Sequence, residues 1–472
     1  MFKIIKMDKI IEYLYFSLPL VFQNLAVSTY GYFWKKKRFG GCFNVALKAA
    51  REREFFTYEQ WEEYQTNKLR ALLVHTFDTV PFYRDKYKSL GIEREFLANI
   101  RLTELKLLPY TTKDELRKYG ASTMLSSSLS KGWFEYSSGS TGTPVHIYVP
   151  EYVAQVFSAL MENRVRNWAG VSCVMPRGMV GGRRILPKSK MQKPFYRYNI
   201  FEKQTYFSAY HISEQTVENY LRGIVENKVE WMTGYAMSNY FIADFIQKAG
   251  LKAPQLRAVI TSSEKLTLEM RQIISDVFRC KVFDSYSGCE ACGLISESSL
   301  GELLVSPDVG IMEFINENGD YVSNGEIGEI VSTGLINFDQ PLIRYRIGDM
   351  AKLSLDQHLK TDHQMMKIDE IVGRVEDVVI GCDGRKMVRF HGLFIGIAGL
   401  IQSQLIQITY TDFIIKLIVD TSYIPDQSEC LIRKRLESQL GKVHVRFEYV
   451  TSLSVGKNGK VKAVISLINC SE

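Results

Sequence analysis

Apolar residues recur at helical spacing early in the chain. Leu69, Leu72, Leu73 and Phe77 share one face, so residues 58–120 are expected to be helical. Pro81 interrupts this pattern. Thr111-Thr112-Lys113-Asp114-Glu115 has the hydroxyl-then-carboxylate order of a capped helix start. The period then changes. Trp133-Phe134-Glu135-Tyr136 and Val145-His146-Ile147-Tyr148-Val149 read as strands on either side of a Ser/Gly/Thr loop. Val153, Val156, Phe157, Leu160 and Met161 return to helical spacing. From 213 to 350, helices near 214–227, 236–248 and 268–279 alternate with apolar strands such as Ala258-Val259-Ile260.

The character changes near Gly373. Residues 406–410 and 413–419 read as strands, 427–440 as an amphipathic helix and 461–468 as a last strand. Val443, Val445, Phe447 and Tyr449 alternate with charged residues, the pattern of a half-buried strand. The expected fold class is α/β. A large N-terminal α/β domain would span 1–372, helical over about 1–120, and a small α+β domain would span 373–472.

The N-terminal stretch from Ile10 to Trp34 is apolar and aromatic, but Glu12, Pro19, Gln23 and Asn24 interrupt it. A spanning helix needs ~20 mostly apolar residues, and a signal peptide needs a small-residue cleavage site. Neither requirement is met. The basic run Lys35-Lys36-Lys37-Arg38 follows. A helix packed on the body with a solvated charge run is expected, because Pro19 spoils a continuous apolar face. Contact with an anionic membrane surface is the alternative.

Composition is globular: 472 residues, 46% hydrophobic and 24% charged. A net charge of +7 is too dilute over this length to define a nucleic-acid partner, and none is expected. Eight cysteines without a paired framework suit a reducing cytoplasm.

The sharpest chemistry lies in Ser137-Ser138-Gly139-Ser140-Thr141-Gly142-Thr143-Pro144. Glycines admit close backbone approach, and hydroxyls with freed amides can ring a polyphosphate. The loop lacks Gly-Lys-Ser/Thr and sits between strands, so it is not the strand–loop–helix phosphate loop. Three further segments accompany it. Asp284-Ser285-Tyr286-Ser287-Gly288-Cys289-Glu290 offers an aromatic face and a carboxylate for Mg²⁺. Pro341 to Asp349 places a carboxylate after Gly348, where it could take two ribose hydroxyls, and Gly373-Arg374-Val375-Glu376-Asp377 sits at the change of character.

In order and spacing these segments resemble the adenylate-forming (AMP-binding) superfamily. Within it the chain resembles the phenylacetate–CoA ligase branch and its CapK-type capsule-biosynthesis subgroup. Leu69-Arg70-Ala71-Leu72-Leu73, Val80-Pro81-Phe82-Tyr83-Arg84, Leu108 to Lys113, Phe207 to Ser213, Thr261-Ser262-Ser263-Glu264 and Gly459 to Ser466 carry that resemblance. It implies that the loop 137–144 holds the ATP phosphates, Glu290 binds Mg²⁺ and Tyr286 lies by the adenine. Asp349, assisted by Arg374, would hold the ribose. Glu376 would be a hinge, and Lys460 would reach the site from the small domain. Tyr235, Ser263 and Glu264 would line the acid pocket.

The chain also departs from the family pattern. Cys289 stands where the family carries a hydroxyl facing the phosphates, Glu376 replaces the usual Asp, and Lys457 competes with Lys460. The resemblance implies ATP-dependent activation of a small carboxylic acid, with Mg²⁺ and an acceptor that is CoA, an amine or a hydroxyl, in surface-polysaccharide assembly. The alternative is a catalytically weak nucleotide-binding partner of a glycan-assembly complex.

Other features have plainer readings. Cys289-Glu290-Ala291-Cys292 is a lone CxxC without a second pair, so neither zinc nor redox chemistry is expected. His358 and His363 lie among Asp356 and Asp362 in what reads as a solvated loop, and His146 reads as a packed or pocket-lining imidazole. The basic stretch from Arg183 and Arg184 through Lys188, Lys190 and Lys193 to Arg197 reads as an exposed loop. A clamp for an anionic acceptor is the sharper alternative.

Overall fold

The computed structural model describes residues 14–136, 145–183, 185–186, 193–209, 211–357, 363–374, 378–380, 386–388, 393–394, 397, 399–451, 453 and 464–468. The helical expectation for the early chain holds through local capping. Thr57 and Gln60 form a reciprocal capping box at the start of Tyr58–Thr79, and Thr112 with Glu115 does the same for Lys113–Tyr119. Leu69, Leu72, Leu73 and Phe77 are buried on the inner face. Pro81 starts a helix, Pro81–Ser89, at the first-turn position where its missing N–H costs nothing.

A twelve-stranded sheet forms the large body. Its order is Gly310–Ile315, Ile327–Gly334, Tyr345–Leu353, Lys367–Arg374, Leu303–Val305, Leu294–Glu297, Lys281–Ser287, Ala258–Ser262, Trp231–Tyr235, Arg177–Gly181, Gln204–Ser208 and Tyr196–Asn199. The five strands from Lys281–Ser287 to Gln204–Ser208 run parallel, and the rest add antiparallel. The helices Val217–Glu226, Ala236–Lys248 and Leu268–Phe278 make the crossovers.

Direction reverses at Arg177–Gly181. The next parallel strand, Gln204–Ser208, lies on one side of it, and the one after, Trp231–Tyr235, on the other. Such a switch point opens a crevice at the carboxyl ends of the strands.

Gly132–Tyr136 and His146–Pro150 pair antiparallel as a separate hairpin, with Tyr136 opposite His146. The strand–loop–strand expectation is met, and the loop itself, 137–144, lies outside the described residues. Gln340 and Asn337 anchor the hairpin. The Tyr148 amide donates to Gln340 Oε1 at 2.6 Å, and Asn337 Nδ2 donates to the Tyr148 carbonyl at 2.9 Å. The hairpin and the helical region share one core that includes Leu69, Leu72, Tyr83, Leu116, Ile147 and Leu342.

Toward the C-terminus a four-stranded sheet runs His444–Tyr449, Asp412–Val419, Leu400–Gln407, Val464–Ser466. Helix Pro425–Leu440 buries Ile432 and Leu436 against Leu405, Phe413, Ile415 and Leu417. The strand expected at 406–410 stops at Gln407. The amides of Ile408 and Thr409 both bond the Asp412 carbonyl, which turns the chain.

Two expectations change. Pro19 precedes helix Leu20–Phe39 instead of interrupting it, so the helix keeps an unbroken face. Residues 196–199 form an edge strand, not an exposed loop, and Arg197 is buried there. Its Nε donates to Gln23 Oε1 at 2.7 Å, and its Nη1 to the carbonyls of Pro194 and Tyr196. Arg183 lies over the rings of Tyr30 and Tyr206, at 5.0 and 4.8 Å. Arg197 is thus committed internally, while Arg183 remains exposed. Arg184, Lys188 and Lys190 lie outside the described residues.

Candidate active site

Three consecutive parallel strands deliver candidate residues to one edge. The register sets Tyr235 opposite Ser262, and Ser262 opposite Ser285. Tyr235, Ser263 with Glu264, and the segment Tyr286 to Glu290 therefore leave the same carboxyl end of the sheet. Tyr235 ends the strand at the switch point. Its hydroxyl lies 2.6 Å from where a Cβ on Gly182 would stand, so a larger residue there would have to displace the tyrosine tip. Ser263 takes a left-handed backbone (φ 67°), and Glu264 after it reaches the start of the preceding crossover. There Glu264 Oε2 accepts the Met237 amide at 2.9 Å. Glu264 thus caps helix Ala236–Lys248, and its carboxylate suits the positive end of the helix.

The nucleotide candidates meet across the sheet. Tyr286 Oη donates to Asp349 Oδ2 at 2.8 Å, joining residues 63 positions apart. Burial raises the Tyr286 phenol well above its ordinary range, and the Asp349 charge adds to this, so the hydroxyl stays protonated and donates. Asp349 also pairs in register with Arg374 on the neighbouring strand. The Arg374 side chain lies outside the described residues.

Cys289 Sγ donates to Glu290 Oε2 at 3.5 Å. Burial pushes both the Cys289 and Cys292 thiols far up, with the Glu290 charge adding, so both stay protonated. Both are free cysteines. Among the described residues no group of three or more His, Cys, Asp or Glu could hold a metal.

Glu135, on the hairpin strand, also raises the Cys289 thiol through its charge, and it accepts Trp133 Nε1 at 3.1 Å. Sequence reasoning missed Glu135. Its place two residues before the Ser/Gly loop was the available signal.

Comparison with known proteins finds consistent relatives. The family model for the CapK C-terminal domain matches residues 380–467. Protein CapK of Staphylococcus aureus is 26% identical over 469 residues, covering 97% of this chain and 100% of that protein. Phenylacetate-coenzyme A ligase of Pseudomonas putida is 26% identical over 339 residues, 67% of this chain and 71% of the enzyme. The chain carries a match to the CapK C-terminal domain and resembles Protein CapK over its length and the phenylacetate-coenzyme A ligases over two thirds of it. The crystal structure of 2-hydroxyisobutyryl-CoA ligase, in the postadenylation state with a bound acyl-AMP, has the same fold. Its TM-score is 0.63 at 15% identity, covering 88% of this chain and 91% of that one.

The remaining predicted residues divide plainly. Ser137, Ser138, Gly139, Ser140, Thr141, Gly142, Thr143, Glu376, Lys457 and Lys460 lie outside the described residues. The donor set fits Mg²⁺, which keeps most of its waters and takes one or two carboxylates beside nucleotide phosphates. Glu290 supplies such a carboxylate beside a neutral thiol, and Glu135 stands near the same thiol. His363 is not in a solvated loop. It stacks on Trp168 at 4.8 Å, and its Nε2 lies 3.5 Å from Glu54 Oε1. His358 and Asp362 lie outside the described residues. His146 sits on its hairpin strand with its ring 6.4 Å from that of Phe134.

Proposed function

We propose that this chain uses ATP to activate a small carboxylic acid as its acyl-adenylate and then transfers the acyl group. The observation that carries the reading is the Tyr286–Asp349 hydrogen bond at the carboxyl end of the sheet, with Asp349 in register with Arg374. That arrangement presents an oriented carboxylate, suited to two vicinal hydroxyls, beside a strand-to-loop turn bearing Glu290. In the proposed reaction a carboxylate oxygen of the acid attacks the α-phosphorus, and the bond to pyrophosphate breaks. The acceptor's nucleophile then attacks the acyl carbon, loses its proton, and AMP leaves.

The barrier is largely charge crowding, so positioned positive potential governs the rate. Mg²⁺, when bound, neutralises phosphate charge. Glu290 would hold it, the loop amides of Ser137 to Thr143 would cradle the phosphates, and Lys460 would add an ammonium. One such donor is worth about 3–4 kcal/mol, or roughly 10²–10³ in rate. Tyr235, Ser263 and Gly182 would border the acid.

The small domain, from 373 onward, would turn about Glu376 and carry Lys460 in and out. 2-Hydroxyisobutyryl-CoA ligase has itself been solved in an open conformation with 2-HIB-AMP and CoA, which favours such a two-stage scheme here. The acceptor is CoA, an amine or a hydroxyl, and the resemblance to Protein CapK supports a role in capsule or other surface-polysaccharide assembly. Among the described residues no helix is long and apolar enough to cross a membrane.

The test is exchange of labelled pyrophosphate into ATP, screened over sugar acids, amino acids, hydroxy acids and aryl acids. One class should support exchange, and Lys460→Ala should depress it about 10²-fold or more. Exchange untouched by Lys460→Ala but abolished by Lys457→Ala would reassign the lysine.

A further inference from the structure

Helix Leu20–Phe39 is packed with its polar side inward. Gln23, Ser28 and Gly31 are its buried residues. They face Tyr196–Asn199, the last strand of the twelve-stranded sheet, whose outer edge would otherwise leave amides unpaired. Asn24 Oδ1 accepts the Tyr198 amide at 3.1 Å, and Ser28 Oγ accepts the Ile200 amide at 3.2 Å. Gly31 is required by the close approach, because a Cβ there would stand 1.8 Å from Asn199 Nδ2.

Spending the polar stripe on the sheet edge leaves the apolar stripe outside. Val21, Leu25 and Tyr32 lie at spacings of four and seven, with Phe22 and Phe33 beside them. Val21 is 74% exposed, Leu25 60% and Phe33 60%. Phe201, at the end of the covered strand, extends the patch and packs edge-on against Tyr32 at 5.2 Å. The helix carries no Asp or Glu and ends in Lys35-Lys36-Lys37-Arg38. Arg38 is paired with the buried Glu202, and Lys36 is exposed at the end of the apolar stripe.

We propose that this outward face docks on an anionic lipid bilayer, with the helix lying in the interfacial plane. An apolar and aromatic stripe with cations at one end matches acyl chains below and anionic headgroups above. Twenty residues give about 30 Å of helix, enough to lie along the surface. The helix also touches two elements of the candidate site. Lys37 Nζ lies 4.6 Å over the Trp133 ring of the hairpin, and Arg183, just beyond the switch-point strand, lies over Tyr30. Docking therefore holds the site's loops near the bilayer surface. The inference does not depend on the acid-activation reading.

The test is co-sedimentation of the full chain with vesicles of phosphatidylcholine alone, or mixed with phosphatidylglycerol. The chain should pellet with the mixed vesicles, and less so as salt rises. Phe22→Glu with Leu25→Glu should abolish pelleting while leaving the circular-dichroism melt unchanged. Lys36→Glu, which adds no buried charge, should weaken binding at least about fivefold. Three outcomes overturn the proposal: no pelleting; equal pelleting with both vesicles that ignores these substitutions; or binding seen only after residues 1–13 are removed. A dimer that the paired glutamates dissolve, with no vesicle binding, would assign the face to a second copy instead.

Discussion

Tyr286→Phe removes one oxygen from a buried contact and tests whether Asp349 is a pre-oriented nucleotide ligand. The Tyr286 hydroxyl donates to Asp349 Oδ2 at 2.8 Å. A hydrogen bond to a charged group contributes about 1.5–3 kcal/mol. If that bond fixes the carboxylate toward ribose hydroxyls, its loss should weaken ATP binding by roughly 10- to 150-fold, since ~1.4 kcal/mol is tenfold. A loss of packing alone would not alter sugar selectivity. Titration calorimetry with ATP and 2′-deoxy-ATP therefore separates the two. The native chain should prefer ATP, and Tyr286→Phe should lose most of that preference. Asp349→Asn should lose it too, and the double variant should be no worse than the poorer single variant. Unchanged ATP affinity in Tyr286→Phe, or full retention of the ATP preference, would refute the reasoning.

Burial raises the Asp284 carboxyl to about 6, with the nearby Glu297 charge adding to it. The folded state then binds more protons than the unfolded state between about pH 4 and 6, so this group's contribution to stability falls as pH rises through that window. Asp284→Asn keeps the Oδ1 that accepts Thr261 Oγ1 at 3.1 Å and the Ser285 amide at 3.0 Å. It should gain on the order of 2–3 kcal/mol over the native chain at neutral pH and little near pH 4, measured by urea unfolding at both. Cys289 and Cys292 should resist maleimide at neutral pH while the exposed Cys430 reacts, read by mass spectrometry. Gly234 holds φ 130°, and a Cβ there would stand 1.8 Å from the Val180 carbonyl oxygen. Gly234→Ala should therefore cost at least about 3 kcal/mol and lower the melting temperature markedly.

What was legible in the sequence was what local chemistry decides. Thr112 with Glu115 announced a helix start, and alternation around the Ser/Gly loop announced a hairpin. The residues of the candidate nucleotide site were legible only through order and spacing. The bond between Tyr286 and Asp349 needs a sheet that brings together positions 63 apart, and no periodicity encodes that. Long-range partners also explain the misses. Arg197 sits in a basic run, yet Gln23 and two carbonyls bury it. Gln23 and Asn24 read as interruptions of an apolar helix because the strand edge they serve lies some 170 residues away. Tertiary demand reversed the usual rule that a helix turns its apolar face inward.

The central claim is that an organic acid's own oxygen captures the innermost phosphorus of ATP. It is tested most directly by supplying the acid found in the exchange screen with oxygen-18 in its carboxylate and analysing the nucleotide after acyl transfer. The account predicts AMP carrying one labelled oxygen, together with unlabelled pyrophosphate. Unlabelled AMP, or ADP and phosphate as the products, would contradict it.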